Sequence, residues 1–167
     1  ALGAEVDVLS VIGECETSHE LKGLFKHIKV DTKYLVTQKD RITSKKSRII
    51  SSQQQVVRYD LECTNEINDL SQISIIKRYK TIILDYDVIL LSDYGKGLFT
   101  FSLTQELISI AKKNSKKILI DPKGLDYSKY SGAYLLTPNK KEASEATHSI
   151  INDDKSLSKA IQTLKHN

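Results

Sequence analysis

Apolar positions along the chain recur with two different periods. Val6, Val8, Leu9, Val11 and Ile12 form a short dense run ending at Gly13, the pattern of a buried strand. Leu21, Leu24, Phe25 and Ile28 follow at i, i+3, i+4 and i+7, which is one face of a helix. Over residues 30–60 the helical stripe is lost. Thr, Ser, Gln, Lys and β-branched residues dominate there. Residues 34–36, 47–50 and 55–59 predict strands with one polar face, and together a small antiparallel element or flap.

The second half returns to alternating elements. Ile67, Leu70, Ile73 and Ile76 predict a helix running toward residue 84. Residues 88–91 are a continuous apolar run, expected to be a buried parallel strand. Leu103, Leu107, Ile110 and Ala111 mark another helix, with Ser102 and Gln105 as a capping box at its start. Residues 118–120 predict a strand stopped by Asp121-Pro122, and residues 134–136 one stopped by Thr137-Pro138. Leu157, Ala160, Ile161 and Leu164 predict a closing helix. Strands alternating with helices in this order predict an α/β fold: a parallel sheet flanked by helices, with one antiparallel insertion.

Composition narrows the function classes. A chain of 167 residues has room for one sizeable core. Lys+Arg at 25 against Asp+Glu at 21 leaves a net charge of +4, which permits an anionic ligand. No apolar stretch reaches the ~20 residues that cross a bilayer, since the best candidate, residues 81–92, is broken by Asp85 and Asp87. No membrane partner is expected. Cys15 and Cys63 suit neither a disulfide framework nor a metal site, and a reducing cytoplasmic location is the simplest reading. With no Trp, three Phe and no concentrated basic helix, nucleic acid is not the expected partner. The motifs G-x-x-x-x-G-K-[S/T] and G-x-G-x-x-G do not occur, which disfavours a P-loop enzyme or a dinucleotide dehydrogenase. The chain holds no Met and only seven Gly, and it opens directly into an apolar run, so it is expected to be a piece of a longer protein.

In open α/β sheets, ligands bind beyond the carboxyl ends of the strands. Three such ends carry polar clusters: Ser92-Asp93-Tyr94-Gly95-Lys96-Gly97, Asp121-Pro122-Lys123-Gly124, and Thr137-Pro138-Asn139-Lys140-Lys141-Glu142. Lysines, carboxylates and amides are the groups that hold phosphates and Mg²⁺. Each cluster also has a plainer reading. Asn139 and Glu142 make a helix N-cap and its partner three residues on. Asp121-Pro122-x-Gly124 is a turn signal. The basic group Lys39, Arg41, Lys45, Lys46 and Arg48 reads first as a solvated face.

Taken in order, these segments resemble the heptose 7-phosphate kinase domains of bifunctional ADP-heptose synthases, a branch of the ribokinase-like (PfkB) sugar kinases. The resemblance is carried by Leu2-Gly3-Ala4, the Val11-Ile12-Gly13 strand end, Lys46-x-Arg48-Ile49 and Gln54-Gln55-x-x-Arg58-x-Asp60. The segments Ser92-Asp93-Tyr94-x-Lys96-Gly97, Asp121-Pro122-Lys123-Gly124-x-Asp126-Tyr127-Ser128-Lys129-Tyr130 and Leu135-Leu136-Thr137-Pro138-Asn139-x-x-Glu142 complete it. It departs from the family pattern at Gln53, where an Asn is usual, and at Cys15 and Ser18 after the first strand.

The resemblance implies a three-layer ribokinase-like sheet with a small β lid. Residues 1–167 would be the central part of one kinase domain, incomplete at both ends, and residues 30–60 the lid region within it. It implies transfer of the ATP γ-phosphate to the anomeric hydroxyl of heptose 7-phosphate, for ADP-heptose and the lipopolysaccharide core. It implies ATP and Mg²⁺ as cofactors, a fused adenylyltransferase domain in the parent protein, and room for a homodimer. Asn139, Lys140, Lys141, Glu142, Lys123 and Asp121 would serve ATP and its phosphates, with Glu142 serving Mg²⁺ through water. Asp93, Lys96, Arg58 and Gln55 would serve the sugar phosphate. The general-base Asp of the family would lie beyond Asn167, so this stretch alone is expected to be inactive. The other readings are a kinase of the same fold for another sugar, and a non-catalytic nucleotide-binding α/β module.

Overall fold

A computed structural model describes residues 3–165; Leu2 of the opening segment and His166 lie outside them. The chain forms two compact units. One comprises the residues up to Arg78 together with Lys96–Leu98, and the other comprises Tyr79–Gly95 and the residues from Phe99 onward.

In the first unit, β1 (Ser10–Ile12) pairs in parallel with β2 (Leu35–Thr37), Ser10 opposite Leu35. Helix α1 (Glu16–His27) lies between them in sequence. Residues 34–36 therefore do not belong to the antiparallel flap the sequence suggests. Leu35 and Val36 are consecutive and both buried, and a strand covered on both faces is what a parallel pair requires. The turn after β1 is held from inside. Gly13 N donates to Thr43 Oγ1 at 2.7 Å, and Ser18 Oγ donates to Gly13 O at 2.6 Å. A side chain at Gly13 would place its Cβ against the Arg41 carbonyl oxygen, so the close approach demands glycine.

The flap is a two-stranded antiparallel ribbon, β3 (Lys45–Ser51) and β4 (Gln54–Leu61), with a register shift between Ile49 and Ile50. Ser52 (φ 48°) and Gln53 (φ 68°) turn the chain in the left-handed region, the conformation of a tight two-residue hairpin. Gln53 holds this left-handed position although Asn tolerates the conformation better. The expected buried face does not form: Ile49, Ile50, Val56, Val57 and Tyr59 are all exposed.

Helix α2 (Asp69–Ile82) differs in phase from its prediction. Leu70 and Ile73 are exposed, while Ser71, Ile75, Tyr79 and, in the following 3-10 turn, Ile83 are buried. Steps of three residues drift about 60° around a helix and steps of four about 40°, so the four-spaced row stays longer on one face.

In the second unit β5 (Val88–Ser92), β6 (Lys117–Asp121) and β7 (Leu135–Leu136) form a parallel sheet in that order. Strand β5 is not buried throughout as its apolar run predicts: Leu91 is buried, whereas Val88 and Leu90, on the opposite face of the pleat, are exposed. Helix α3 (Phe101–Lys113) covers it with Leu103, Leu107, Ile110 and Ala111, all buried as their spacing predicts. Its cap is Thr100, which accepts from Leu103 N at 3.1 Å. Ser102 sits inside the first turn, so the predicted Ser102–Gln105 capping box does not form: the cap lies two residues earlier, its N3 residue is the apolar Leu103, and Gln105 donates instead to the carbonyls of Lys129 and Ser131. Helices α4 (Lys140–Ala146) and α5 (Asp154–Lys165) share a small core of Ala143, Ile151 and Ala160 with Leu164 against it.

Candidate functional site at the strand ends

Parallel register brings the ends of β5 and β6 level, Ser92 opposite Asp121. Asp93 N donates to Asp121 O at 2.9 Å, which extends the ladder one step past the sheet. The Asp93 side chain turns inward and is only 4% exposed. Its Oδ1 accepts from Gly95 N at 2.7 Å. Its Oδ2 accepts from Lys129 Nζ and from the Tyr130 hydroxyl, each at 2.7 Å. A buried carboxylate with a cation and two further donors is the arrangement that avoids an unpaired buried charge.

Tyr130 is 1% exposed, and its ring meets Tyr127 edge-on with centroids 5.6 Å apart. Burial, reinforced by the Asp93 carboxylate, pushes its hydroxyl well above the ordinary phenol range, so it remains a proton donor. The same oxygen accepts from Lys123 N at 3.0 Å. Burial likewise pushes the Tyr127 hydroxyl up to about 12.

The Lys123 side chain extends the chain of contacts to α4. Its Nζ lies 2.9 Å from Glu142 Oε1. Glu142 Oε2 accepts from Asn139 N at 3.1 Å, and Asn139 Oδ1 accepts from Glu142 N at 3.0 Å, a reciprocal capping box. Lys123, then the Asn139 N–H, hold the Glu142 carboxyl below the usual carboxylate range. Glu142 in turn raises the Lys123 ammonium. Lys140 and Lys141 are exposed beside them, with Lys141 3.7 Å from Glu145. Asp93, Asp121, Lys123, Asn139 and Glu142, singled out separately in the sequence, thus form one connected set. The capping reading of Asn139 and Glu142 is realised in full, and the pair is at the same time tied to Lys123.

In the first unit, Lys96 Nζ pairs with Glu62 Oε1 at 2.8 Å, while Glu62 Oε2 is buried without a hydrogen-bond partner. Arg41 is buried and donates to the carbonyls of Asn65 and Lys96, so it leaves the solvated basic face to which the sequence assigns it. Gly97 (φ 73°) presses against Asn65, where a Cβ would lie 2.0 Å from the carbonyl oxygen. On the ribbon Arg58 Nε is 3.0 Å and Lys46 Nζ 3.7 Å from the Asp60 carboxylate, with both cationic side chains about half exposed. Gln55 is exposed beside the hairpin turn, opposite Ile50.

Glu62, Lys129 and Tyr130 are the participants to which the sequence assigns no role. Lys129 and Tyr130 lie inside the segment that carries the resemblance, but nothing local marks a Lys-Tyr pair as the partner of an aspartate 36 and 37 residues earlier. Among the described residues, no three His, Cys, Asp or Glu side chains gather to hold a metal ion. Nor is any described helix long and apolar enough to cross a membrane.

The model of the pfkB family carbohydrate kinases matches residues 1–167. The chain is 55% identical over 164 residues to the bifunctional protein HldE of Aliarcobacter butzleri, covering 98% of this chain and 34% of that protein. It is 49% identical to the HldE of Campylobacter fetus, covering 98% and 35%, and 41% identical to that of Helicobacter pylori, covering 99% and 36%. The chain spans about a third of the length of these curated relatives. Among solved structures, phosphofructokinase-2 of Escherichia coli superposes with a TM-score of 0.70 at 17% identity, over 99% of this chain and 54% of that one. Arabidopsis thaliana ribokinase, complexed with ribose and ATP, gives 0.69 at 14%, over 96% and 51%. These two likenesses establish the ribokinase-like α/β fold, and with the family match over every residue the chain belongs to the pfkB family of carbohydrate kinases.

Proposed function

We propose that the protein carrying this chain transfers the γ-phosphate of ATP to the anomeric hydroxyl of heptose 7-phosphate, giving the 1,7-bisphosphate that feeds ADP-heptose and lipopolysaccharide core synthesis. The observation that carries this reading is the connected set at the strand ends of the second unit. Lys123 and Glu142 meet there at 2.9 Å beside Lys140 and Lys141, and ammonium groups backed by a fixed carboxylate suit a nucleotide's phosphates. The likeness to HldE over the whole chain supports the heptose substrate.

The donor set also fits Mg²⁺. Glu142, whose oxygens already accept from Lys123 Nζ and Asn139 N, would hold the ion through water, as suits a cation that keeps most of its waters. Mg²⁺, when bound, neutralises charge on the transferring phosphoryl group. Lys123, Lys140 and Lys141 bind and orient the nucleotide phosphates, Asn139 fixes Glu142, and Asp121 lines the floor. Asp93, which the resemblance assigns to the sugar phosphate, has its carboxylate bonded to Gly95 N, Lys129 and Tyr130 and serves the substrate by fixing the strand-end loop. In the first unit Lys96, Arg58 and Gln55 serve the sugar phosphate, the planar fork of Arg58 being suited to paired oxygens. The relatives' description as bifunctional and their greater length support a fused adenylyltransferase domain.

In the full-length protein, Glu142→Gln is expected to lower kcat for heptose 7-phosphate about 10²-fold, the scale of losing one electrostatic organiser. A rate unchanged at saturating Mg²⁺ removes Glu142 from the site. ADP release no faster with heptose 7-phosphate than with ribose or fructose 6-phosphate reassigns the substrate.

A further inference from the structure

We propose that Tyr130 and Lys129 are positioning residues, which hold the ends of β5 and β6 in the one geometry from which Lys123 and Glu142 engage a nucleotide's phosphates. The nucleotide part of this inference rests on the kinase reading above.

Asp93 is the starting point. Its two carboxylate oxygens accept from Gly95 N, Lys129 Nζ and Tyr130 Oη, and at 4% exposure the carboxylate is withdrawn from the surface that a ligand would meet. Asp93 therefore acts on the site by anchoring, not by contact. The Tyr130 hydroxyl has one proton and two acceptors in reach, Asp93 Oδ2 at 2.7 Å and Lys123 O at 3.1 Å. The shorter bond to the charged acceptor takes it. The hydroxyl's lone pair then accepts Lys123 N–H at 3.0 Å. One phenol oxygen thus joins the segment after β5 to the segment after β6, and the Lys123 ammonium carries the linkage to Glu142 at 2.9 Å.

Lys129 supplies the matching charge. Its ammonium donates to Asp93 Oδ2 and to the Phe99 carbonyl at 3.3 Å, and lies 4.9 Å from the Tyr130 ring centroid. The backbone that presents both residues is clamped from α3, where Gln105 Nε2 donates to Lys129 O at 3.0 Å and Ser131 O at 3.1 Å. Functional groups held by side chains that are themselves fixed to a helix keep their geometry before ligand arrives.

The test uses Tyr130→Phe, which keeps the buried ring and deletes only the bridging oxygen, and the pair Lys129→Met and Lys129→Arg. Amide exchange of Lys123 in the ligand-free full-length protein is expected to speed up about tenfold in Tyr130→Phe, the scale of losing one hydrogen bond. Mg-ATP affinity, read by calorimetry without sugar, is expected to weaken about tenfold in Tyr130→Phe and Lys129→Met. Lys129→Arg, which keeps the charge and the donors, is expected to restore it. Unchanged Lys123 exchange in Tyr130→Phe overturns the bridge. Faster exchange with unchanged Mg-ATP affinity overturns the positioning role, as does Lys129→Arg behaving like Lys129→Met. Wild-type protein that binds no Mg-ATP overturns the kinase reading and the nucleotide part with it, while the exchange result still decides the bridge.

Discussion

The β3–β4 ribbon and the strand-end cluster around Asp93 both set cations against a carboxylate, and they do so in opposite ways. On the ribbon, Lys46 and Arg58 share Asp60 with their side chains about half in solvent, and apolar residues on the ribbon are exposed as well. An isolated two-stranded ribbon has no third layer to fix its side chains. In the cluster, Asp93 and Tyr130 are buried, Lys129 is mostly covered, and the Asp93 carboxylate, the Lys129 ammonium and the Tyr130 hydroxyl are bonded to one another on backbone that the sheet and α3 hold. Charge fixed by packing keeps one geometry, whereas charge on the ribbon is held only by partners that solvent reaches.

The sharpest way to break this contrast is to remove Asp93. Asp93→Ala deprives the Lys129 ammonium and the buried Tyr130 hydroxyl of their charged acceptor, leaving only the Phe99 and Lys123 carbonyls in reach, and is expected to cost about 3 kcal/mol in urea unfolding. Asp93→Asn, which keeps an acceptor, is expected to cost less. An Asp93→Ala variant no less stable than a ribbon variant would mean that the cluster's partners are as replaceable as those on the ribbon.

The α4 cap lies between the two extremes. Asn139→Ala removes the acceptor for Glu142 N and is expected to cost about 1 kcal/mol. The same cap carries a pH signature. The folded-state pKa of Glu142 is lowered, chiefly by Lys123 and then by the Asn139 N–H, so its contribution is fully present above the ordinary glutamate value of ~4.3 and is lost as pH falls through the lower folded value. Stability measured from pH 6 down to pH 3 is expected to drop more in wild type than in Glu142→Gln. Parallel curves would place the acid sensitivity elsewhere.

The contrast also sorts what was legible in the chain. The parallel sheet and α3 could be read because continuous apolar runs and an i, i+4, i+7, i+8 stripe have few other uses. The α2 phase could not, since Leu70 and Ile73 mark one face of the helix and Ile75 and Tyr79 the other, and packing buries the second. Residues 34–36 looked like ribbon because their neighbours do; their partner strand lies some 25 positions earlier. At the site, Asp93, Lys123, Asn139 and Glu142 stand at strand ends, where topology points. Lys129 and Tyr130 lie within a 3-10 turn (Ser128–Tyr130), and their position against Asp93 depends on α3 holding that turn through Gln105. Such a contact has no sequence period to betray it.

The smallest effect on stability belongs to the ribbon itself. A half-exposed ion pair gains little Coulomb energy, loses side-chain entropy and is screened by salt. Arg58→Ala and Lys46→Ala are each expected to change unfolding free energy by no more than about 0.5 kcal/mol. If the ribbon's cations serve the sugar phosphate, their value appears only with substrate. The KM for heptose 7-phosphate is then expected to rise about tenfold in Arg58→Ala, the scale of one charge-assisted hydrogen bond, while the KM for ATP stays as in wild type. The rise should also shrink toward high salt, because contacts made in solvent are screened and buried ones are not. A ribbon variant that loses stability like Asp93→Ala, or that alters the KM for ATP instead, would show that the ribbon is packed against something that fixes it.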